Sequence, residues 1–473
     1  MLKYISAIFL LIGLVSCSVQ PNKKPNIILI MVDDLGWGDV GFNGNTHIKT
    51  PSLDALASKG VIFNRFYSAS AVCSPTRASC ITGRNPFRME IPTANAGRMK
   101  EGEITLAEVL KTASYETAHF GKWHLGSLTT KEKDANRGKP GRTDVYTIPS
   151  SHGYDAFFCT ESKVPTFDPL VKPLTYDSAN GEGLRFGWKA IEPNRPSEAY
   201  GTSYWIGKEK KEEMNMEGDD SKLIMDRVIP FIENAVDENN PFFSTVWFHT
   251  PHLPVVADEA HRNLYKELDL QHQIYYGTIT ALDEQIGRLW KRLEDLGEAD
   301  NTILWFCSDN GPERGTPGSS GIFRERKRSL YEGGVRVPAF AVLGKNFPKN
   351  YQTDLPVVTS DYLPTILEMI GISYPDADRP LDGESIANAL MNKQSERGKP
   401  IGFLYSSKMS WVSNEYKLIS TNGGSTFELY NLINDPEEKK NIAATNMVLV
   451  TNMKKELMAW KQSVMESANG VDY

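Results

Sequence analysis

Five short apolar runs, separated by stretches with helical periodicity, constrain the fold of this chain more than any other feature of its sequence. The runs occupy residues 26–32, 117–120, 242–248, 302–307 and 337–343. Apolar residues three and four apart predict helices at 53–59, 106–113 and 274–296, and Thr105 with Glu108 predicts a capping box on the second helix. Strands that alternate with helices predict an α/β sandwich around a large, mostly parallel central sheet.

The composition changes twice along the chain. Residues 162–207 are rich in Pro, Gly and Asn and lack periodicity, which predicts a long insertion near the mouth of a site. Short β-like runs follow at 401–405, 411–413, 417–421 and 426–430, and a helical pattern covers 448–465. We therefore predict a main α/β domain over residues 25–395 and a C-terminal subdomain over 396–473, which consists of a small antiparallel sheet and a helix.

The N-terminal residues predict export rather than folded structure. An apolar run over 5–15 has the length of a signal peptide and is too short to span a bilayer. It ends in Leu14-Val15-Ser16-Cys17, which looks like a bacterial lipobox. We therefore predict a lipoprotein signal peptide at 1–17, lipidation of Cys17 and a tether at 18–24, which would anchor the protein to the cell envelope in the periplasm or at the outer surface. An ordinary cleaved signal, giving a periplasmic or secreted protein, is the alternative.

The charge of the chain limits its partners. The formal net charge is −7, which argues against binding of nucleic acid, or of polyanions by the surface as a whole. An anionic substrate would need a local cationic pocket. Apart from Cys17, four scattered cysteines do not form a disulfide framework. Three of them are predicted to pack in the core: Cys80, Cys159 and Cys307.

Polar residues follow two of the predicted strands. Asp33 and Asp34 come after the first apolar run, and Asp309 and Asn310 come just after the fourth. Ligand sites in open α/β sheets lie beyond the carboxyl ends of the strands, so these side chains are expected to meet. Clustered carboxylates stay ionised only beside a cation, and oxygen ligands favour Ca²⁺ or Mg²⁺ over zinc. Taken alone, Asp-Asn-Gly after a strand is more often a turn.

The most specific motif is C-x-P-x-R at residues 73–77, which Thr-Gly-Arg closes at 82–84. Ser74 is predicted to cap a helix whose first residue is the proline. Cys73 then lies at a helix N-terminus, where free N–H groups and the helix dipole favour an anion. Arg77 lies one turn further along and can reach back towards it. The alternative is a structural cysteine at the start of a helix.

Three further segments supply cations and imidazoles. His252 lies in a proline-containing loop after the third apolar run and is predicted to be a general acid, whereas His249 is a weaker candidate. Lys122 and His124 are two residues apart in an extended segment, so they are predicted to point to the same side. The lysine could bind an anionic group there, and the imidazole could accept a proton from a neighbouring hydroxyl. Lys327 belongs to a basic cluster that would normally be a solvated loop, but the adjoining Glu-Gly-Gly-x-Arg-Val-Pro argues for a fixed location.

Together these segments resemble the type I formylglycine-dependent sulfatases of the alkaline phosphatase superfamily, in particular the bacterial carbohydrate sulfatases. The resemblance extends to Glu428-Leu429-Tyr430-Asn431-Leu432 and the Asp-Pro-Glu that follows at 435–437. It implies an alkaline-phosphatase-like sandwich, a sulfuric ester hydrolase, one bound Ca²⁺, and a maturase partner that oxidises Cys73 to Cα-formylglycine (3-oxoalanine). Thr76 and Cys80 depart from the residues common among relatives but lie outside the fixed positions of the motif.

The resemblance also implies roles for single residues. The Ca²⁺ ligands would be the two strand ends and the modified cysteine, namely Asp33, Asp34, Cys73, Asp309 and Asn310. Hydrated formylglycine at position 73 would attack sulfur, while Arg77 and His124 position and activate its hydroxyls. Lys122 and Lys327 would bind the sulfate oxygens, and His252 would contact the substrate and protonate the departing alcohol.

The resemblance implies a sulfated carbohydrate as substrate, with the galactose and N-acetylgalactosamine types as candidates, and loops at 152–168 and in the following insertion would contact the sugar. A formylglycine-dependent phosphodiesterase or phosphonate hydrolase is the nearest alternative. A non-catalytic protein that binds sulfated glycans, with Cys73 unmodified, is the second. A two-zinc phosphatase fits less well, because the sequence has no further chain of Asp and His ligands.

Overall fold

The structure, a computed structural model, describes residues 23–175, 188–189, 198–344 and 347–473. The predicted signal peptide, Cys17 and most of the tether lie outside these residues, as does part of the predicted insertion. Within the described residues, no helix combines the length and apolar character needed to span a bilayer. Lys23, at the end of the predicted tether, pairs with Glu298 at 2.6 Å.

The secondary structure alternates between strands and helices through most of the chain. The strands are β1 (Asn26–Val32), β2 (Val61–Phe63), β3 (Phe66–Tyr67), β4 (Glu116–Lys122), β5 (Ala156–Thr160), β6 (Leu174–Thr175), β7 (Trp188–Lys189), β8 (Tyr204–Gly207), β9 (Lys210–Glu212), β10 (Phe242–Trp247), β11 (Thr302–Ser308), β12 (Ala339–Leu343), β13 (Tyr351–Thr353), β14 (Val357–Val358), β15 (Ile401–Tyr405), β16 (Lys408–Val412), β17 (Tyr416–Ser420) and β18 (Glu428–Asn431). The helices are α1 (Pro51–Ser58), α2 (Cys73–Thr82), α3 (Leu106–Thr112), α4 (Asp220–Asp237), α5 (Glu259–Asn263), α6 (Leu270–Asp295), α7 (Glu332–Val335), α8 (Tyr362–Ile370), α9 (Ala387–Leu390) and α10 (Met447–Ala468).

The main sheet has the strand order β13-β2-β12-β11-β1-β10-β4-β5-β8-β9. Its five central strands, from β11 to β5, are all parallel. Antiparallel neighbours flank this block, because β12 pairs with β11 and β8 pairs with β5 in the opposite direction. The predicted class, an α/β fold with a mostly parallel central sheet, is confirmed.

Strand β1 explains why the central runs are apolar at every position. Ile27, Leu29 and Met31 point into one hydrophobic core, whereas Ile28 and its alternate neighbours belong to the core on the other face. Helices cover both faces of the sheet, so each side chain of the strand is buried. The parallel block thus presents its strand ends, rather than its faces, to a ligand.

The C-terminal region forms a second, smaller sheet, as predicted. Strands β15 to β18 are antiparallel and follow one another in chain order. Helix α10 packs on this sheet through a separate apolar cluster that contains Leu418 and Leu457. Trp411 and Trp460 meet in that cluster, with ring centroids 5.7 Å apart. The division between the two domains at residue 395 stays a prediction.

A buried ionic cluster joins the small sheet to the main domain. The Lys417 ammonium lies 2.9 Å from a carboxylate oxygen of Glu332 and 3.0 Å from one of Glu438. Glu332 begins α7, so the Glu-Gly-Gly-x-Arg-Val-Pro segment has the fixed location that the sequence indicated. Its Gly333 has no room for a side chain, because a Cβ there would lie 2.2 Å from the carbonyl oxygen of Glu325.

Several predicted boundaries are wrong, and the reasons are tertiary. The predicted insertion at 162–207 ends in a strand of the main sheet, because Tyr204 and Trp205 pair with β5 and are buried. The run predicted at 337–343 begins at Ala339. The run predicted at 411–413 is the end of β16, since its pairing with β15 aligns Val412 with Ile401. The capping box between Thr105 and Glu108 is confirmed.

Candidate active site

The ends of β1 and β11 place four polar side chains side by side. The two strands are parallel, with Val32 opposite Ser308, so the residues that follow them are neighbours. The backbone N–H of Asp34 donates to Asp309 Oδ1 at 3.1 Å, and Asn310 Nδ2 donates to Asp34 Oδ1 at 2.6 Å. Asp34 takes a left-handed conformation, with φ of 67°, at this turn. The expected meeting of the two strand ends is therefore observed.

Three buried oxygens in this cluster have no hydrogen-bond donor within the described residues. They are Asp33 Oδ1, Asp34 Oδ2 and Asn310 Oδ1. Burial and the charge of Asp33 together raise the pKa of Asp309 to about 7. Unpaired oxygens among buried carboxylates are the ligands that a hard cation such as Ca²⁺ requires. The donor set therefore fits such an ion.

Cys73 lies at the first position of α2, at the edge of this cluster. Its Sγ and single carboxylate oxygens of Asp33 and Asp309 all lie within 4.8 Å of one another. Burial raises the pKa of the thiol. The charge of Lys122 lowers it in part, whereas the nearby carboxylates of Asp33 and Asp309 raise it. An unmodified Cys73 is therefore a neutral thiol at neutral pH and a poor nucleophile.

The helix around Cys73 differs from the prediction at its start. The N-cap is Val72 rather than Ser74, and it has no side-chain cap. Ser74 Oγ instead donates to the carbonyl oxygens of Ala94 and His124, at 2.7 and 2.6 Å. These bonds fix the first turn to the strand-end loops. Gly83 ends the helix in a left-handed conformation with φ of 71°, as the Thr-Gly-Arg sequence suggested.

Arg77 is fully buried and reaches the carboxylates. One guanidinium nitrogen lies 2.7 Å from Asp309 Oδ2, and the other donates to the carbonyl oxygen of Lys122 at 3.2 Å. The guanidinium also stacks over the ring of Trp247, 5.3 Å from its centroid. In this structure Arg77 thus fixes the Asp309 carboxylate, and its predicted contact with residue 73 stays a prediction.

Lys122 and His124 lie at and beyond the end of β4. Lys122 Nζ donates to Asp33 Oδ2 at 2.6 Å. The segment is not extended at His124, which has φ of 55°, so the predicted alternation fails there. Burial lowers the pKa of His124 well below its usual range, and the charges of Lys122 and Arg137 lower it further. His124 is therefore neutral and able to accept a proton, and its Nδ1 has no partner in the described residues.

The two histidines after β10 have different surroundings. His252 Nδ1 lies 2.6 Å from the carbonyl oxygen of Leu253, so it carries the proton, and Nε2 lies 3.7 Å from Asp34 Oδ2. His249 is buried between Asp220 and Thr160, at 2.8 and 2.7 Å. Both its ring nitrogens are engaged, which leaves it a supporting role. Burial lowers the pKa of His252 well below its usual range. The charge of Asp33 opposes this effect, and the charge of Lys327 adds to it.

Lys327 is buried rather than solvated. Its backbone N–H donates to the carbonyl oxygen of Pro312, and its ammonium donates to Asp34 Oδ1. Burial opposes the charge, but Asp34 raises the pKa of Lys327, so the side chain stays protonated. The structure brings the residues predicted for catalysis and metal binding together at these strand ends, with Lys122 on Asp33 and Lys327 on Asp34.

Sequence reasoning predicted that the loop at 152–168 contacts the sugar, but it assigned no single residue there and missed the rim residues Asn95 and Asn136. Asn136 Nδ2 donates to Asn95 Oδ1 at 2.9 Å and to Ser162 Oγ at 2.7 Å, and Asn95 Oδ1 lies 3.5 Å from His124 Nε2. Lys163 follows Ser162 and lies close enough to Lys122 and Lys327 for their charges to act on it. No periodicity or spacing distinguishes these residues, because they come from separate irregular loops.

Comparison with known proteins gives a consistent result. A family profile described as Sulfatase matches residues 25–372, and one described as N-sulphoglucosamine sulphohydrolase, C-terminal, matches residues 318–463. A protein named Sulfatase from Formosa agariphila is 30% identical over 516 residues, which cover 93% of this chain and 89% of that protein. The N-acetylgalactosamine-6-sulfatase of Mus musculus is 30% identical over 391 residues, 79% of this chain and 67% of that protein. The crystal structure of Ps i-CgsB in complex with k-i-k-neocarrahexaose matches with a TM-score of 0.75 at 27% identity and covers 92% of each chain.

Proposed function

The chain belongs to the sulfatase family, and we propose that this sulfuric ester hydrolase acts on a sulfated carbohydrate with a formylglycine, made from Cys73 by a maturase, as its nucleophile. One observation carries the proposal. Cys73 begins a helix beside Asp33 and Asp309, in a buried cluster whose oxygens lack partners among the described residues. As a neutral thiol it would attack poorly, whereas the hydrated aldehyde supplies hydroxyl groups at the same place.

The proposed metal is one Ca²⁺, held by the two strand ends and the modified cysteine. Its ligands would be Asp33, Asp34, Asp309, Asn310 and residue 73. The unpaired buried oxygens of this set support that assignment, and their chemistry favours Ca²⁺ over zinc. When bound, the ion supplies positive charge that offsets the carboxylates and polarises a sulfate oxygen.

The surrounding residues suit sulfate-ester cleavage. Lys122 and Lys327 would bind the sulfate oxygens, which adds positive charge where the transferring group carries its negative charge. His124 is neutral, so it can take a proton from the nucleophile, and Arg77 holds the Asp309 carboxylate in place. His252 would protonate the leaving oxygen from Nε2 in its imidazolium form. Burial and the charges of Lys327 and Lys122 lower its pKa, and a bound sulfate would offset the two lysine charges.

The substrate class comes from relatives and stays a proposal. One relative is named for N-acetylgalactosamine 6-sulfate, and one structural neighbour was solved with a neocarrahexaose. Both suggest a galactose-type sugar, which the rim loops at 152–168 and beyond would contact. We keep the lipid anchor at Cys17, and hence a location at the bacterial cell envelope, as part of the proposal. The domain division at residue 395 is likewise proposed.

Two measurements on purified protein made with an active maturase test the proposal. Mass spectrometry should find the peptide that contains residue 73 lighter by about 18 Da than its cysteine form, as expected for an aldehyde nucleophile. Kinetics should then give faster turnover of 4-methylumbelliferyl sulfate than of a matched phosphodiester. The Cys73→Ala variant should give no turnover, while Cys80→Ala, a buried cysteine of the same helix, should retain it.

Three results would contradict the proposal. An intact cysteine in active protein would remove formylglycine from the mechanism. Preferred turnover of the phosphodiester, by converted protein, would favour the phosphodiesterase alternative. Converted protein that binds sulfated oligosaccharides without cleaving any sulfate ester would favour a binding protein.

A further inference from the structure

Lys163 occupies a position in the active site that none of the roles above uses. It lies three residues beyond Thr160, the last residue of β5, and Thr160 is opposite Lys122 in the parallel pairing of β5 with β4. The segment therefore leaves the sheet at the same edge as the carboxylate cluster. Lys163 is partly exposed, whereas its neighbours Ser162 and Val164 are buried. Lys163 is thus partly accessible to solvent, while the residues on both sides of it are enclosed.

The loop that carries Lys163 is held on both sides. Thr160 Oγ1 donates to the carbonyl oxygen of Ser162 at 2.6 Å. Further along, Thr166 Oγ1 donates to the carbonyl oxygen of Val256 at 2.7 Å, and Val256 follows His252 in the next loop. A loop fixed at both ends presents its side chain at a defined place, as a binding residue must.

Lys163 has no close anionic partner among the described residues. Among the described residues Lys163 has no ion pair, whereas Lys122 pairs with Asp33 and Lys327 with Asp34. Burial lowers the pKa of Lys163, and the charges of Lys122 and Lys327 lower it further, while the weaker attraction of Asp33 and Asp34 opposes this effect. An ammonium placed against two other cations is unfavourable unless an anion joins it.

We propose that Lys163 binds a second anionic group of the substrate, a sulfate or carboxylate carried beside the sulfate that is removed. The proposal rests on the proposed function and narrows its substrate to glycans with more than one negative charge near the cleaved ester. Lys122 and Lys327, which would bind the cleaved sulfate, already pair with Asp33 and Asp34, so Lys163 is the lysine of this group that is left for a second anion. Asn95 and Asn136, on the adjoining rim, offer neutral polar groups to the same part of a sugar.

The test compares substrates with one and two anionic groups. The variants are Lys163→Met, Lys163→Arg and, as a matched control, Lys133→Met, which alters an exposed lysine of a rim loop. The substrates are 4-methylumbelliferyl sulfate, a monosulfated disaccharide and its disulfated counterpart. Lys163→Met should lower kcat/KM for the disulfated sugar by about tenfold, as expected for loss of one charge-assisted contact. The two monosulfated substrates should change by less than about twofold, and Lys163→Arg should restore the preference.

Equal losses on all three substrates, or no loss on the disulfated sugar, would overturn the proposal. A binding measurement separates this failure from failure of the proposed function. Calorimetry on Cys73→Ala, with Lys163 intact or replaced by Met, reports affinity without turnover. If converted wild-type protein cleaves no sulfate ester, the proposed function fails. A preference of Cys73→Ala for the disulfated sugar that depends on Lys163 would still support the second anion site, and no such preference would overturn it.

Discussion

Two buried arginine–aspartate pairs in this protein look alike in isolation and differ in their surroundings. Arg77 pairs with Asp309 in the active site, and Arg397 pairs with Asp361 where the main domain meets the small sheet. Both are almost fully buried. The comparison separates a charge pair that stabilises the fold from one that belongs to a reactive site.

The Arg397–Asp361 pair is complete. The guanidinium donates to both carboxylate oxygens, at 2.6 and 2.7 Å. The backbone N–H groups of Val358 and Glu384 donate to the same two oxygens, at 2.8 and 2.9 Å. Each oxygen therefore has two donors, and no capacity is left for a ligand.

The Arg77–Asp309 pair is one contact in an incomplete cluster. Asp309 has donors on both oxygens, but Asp33, Asp34 and Asn310 beside it each keep an oxygen without a donor in the part of the chain that the structure describes. Burial of charge is common to both regions, and so is a short ion pair. The active site differs in its clustered oxygen atoms without hydrogen-bond donors. Each buried acceptor of this kind lowers the free energy of unfolding, so a cluster of them points to a ligand.

The largest effect is expected from Asp309→Asn. The amide keeps the shape but removes a charge from the proposed Ca²⁺ ligands, so kcat/KM for 4-methylumbelliferyl sulfate should fall by more than about 10³-fold. Asp361→Asn is the matched control, and its folded fraction should retain wild-type kcat. If kcat/KM of Asp309→Asn fell by less than about tenfold, Asp309 would not be a ligand on which catalysis depends.

The second effect is on stability, from Arg397→Met. Removing one partner of a buried pair leaves the Asp361 charge uncompensated, so the free energy of unfolding should fall by about 3–5 kcal/mol. Urea denaturation measures that change, and kcat of the folded protein should stay the same. Loss of kcat together with unchanged stability would mean that this pair, too, serves the reaction.

The smallest effect is the response to calcium. Ca²⁺ at one hundred times its dissociation constant should stabilise the wild-type protein by about 2.7 kcal/mol, because it binds only the folded state. Arg397→Met should respond by the same amount, and Asp309→Asn should respond much less. Thermal unfolding with added Ca²⁺ or with a chelator gives the comparison, and equal shifts in all three proteins would argue against the proposed ligands.

Much of the fold and of the site could be predicted from the sequence. The central strands are apolar at every position because both sheet faces are covered, so β1 was predicted with its observed ends. The rule that strand ends meet placed Asp33 beside Asp309. Local reasoning failed where a tertiary contact decides the outcome. Ser74 bonds to distant carbonyl oxygens instead of capping α2, and Tyr204 pairs with β5 instead of belonging to a loop.

The α/β class could be predicted from local periodicity, and the motif at Cys73 and the polar strand ends could be read from side-chain chemistry. The folded structure was needed to show which buried oxygens lack a donor among the described residues, that His249 is enclosed while Nε2 of His252 faces the carboxylates, and that Lys163 lies near the site. These properties depend on distances between segments that are far apart in the chain. Asp34 and Asn310, for example, are 276 positions apart in the chain, yet Asn310 Nδ2 lies 2.6 Å from Asp34 Oδ1.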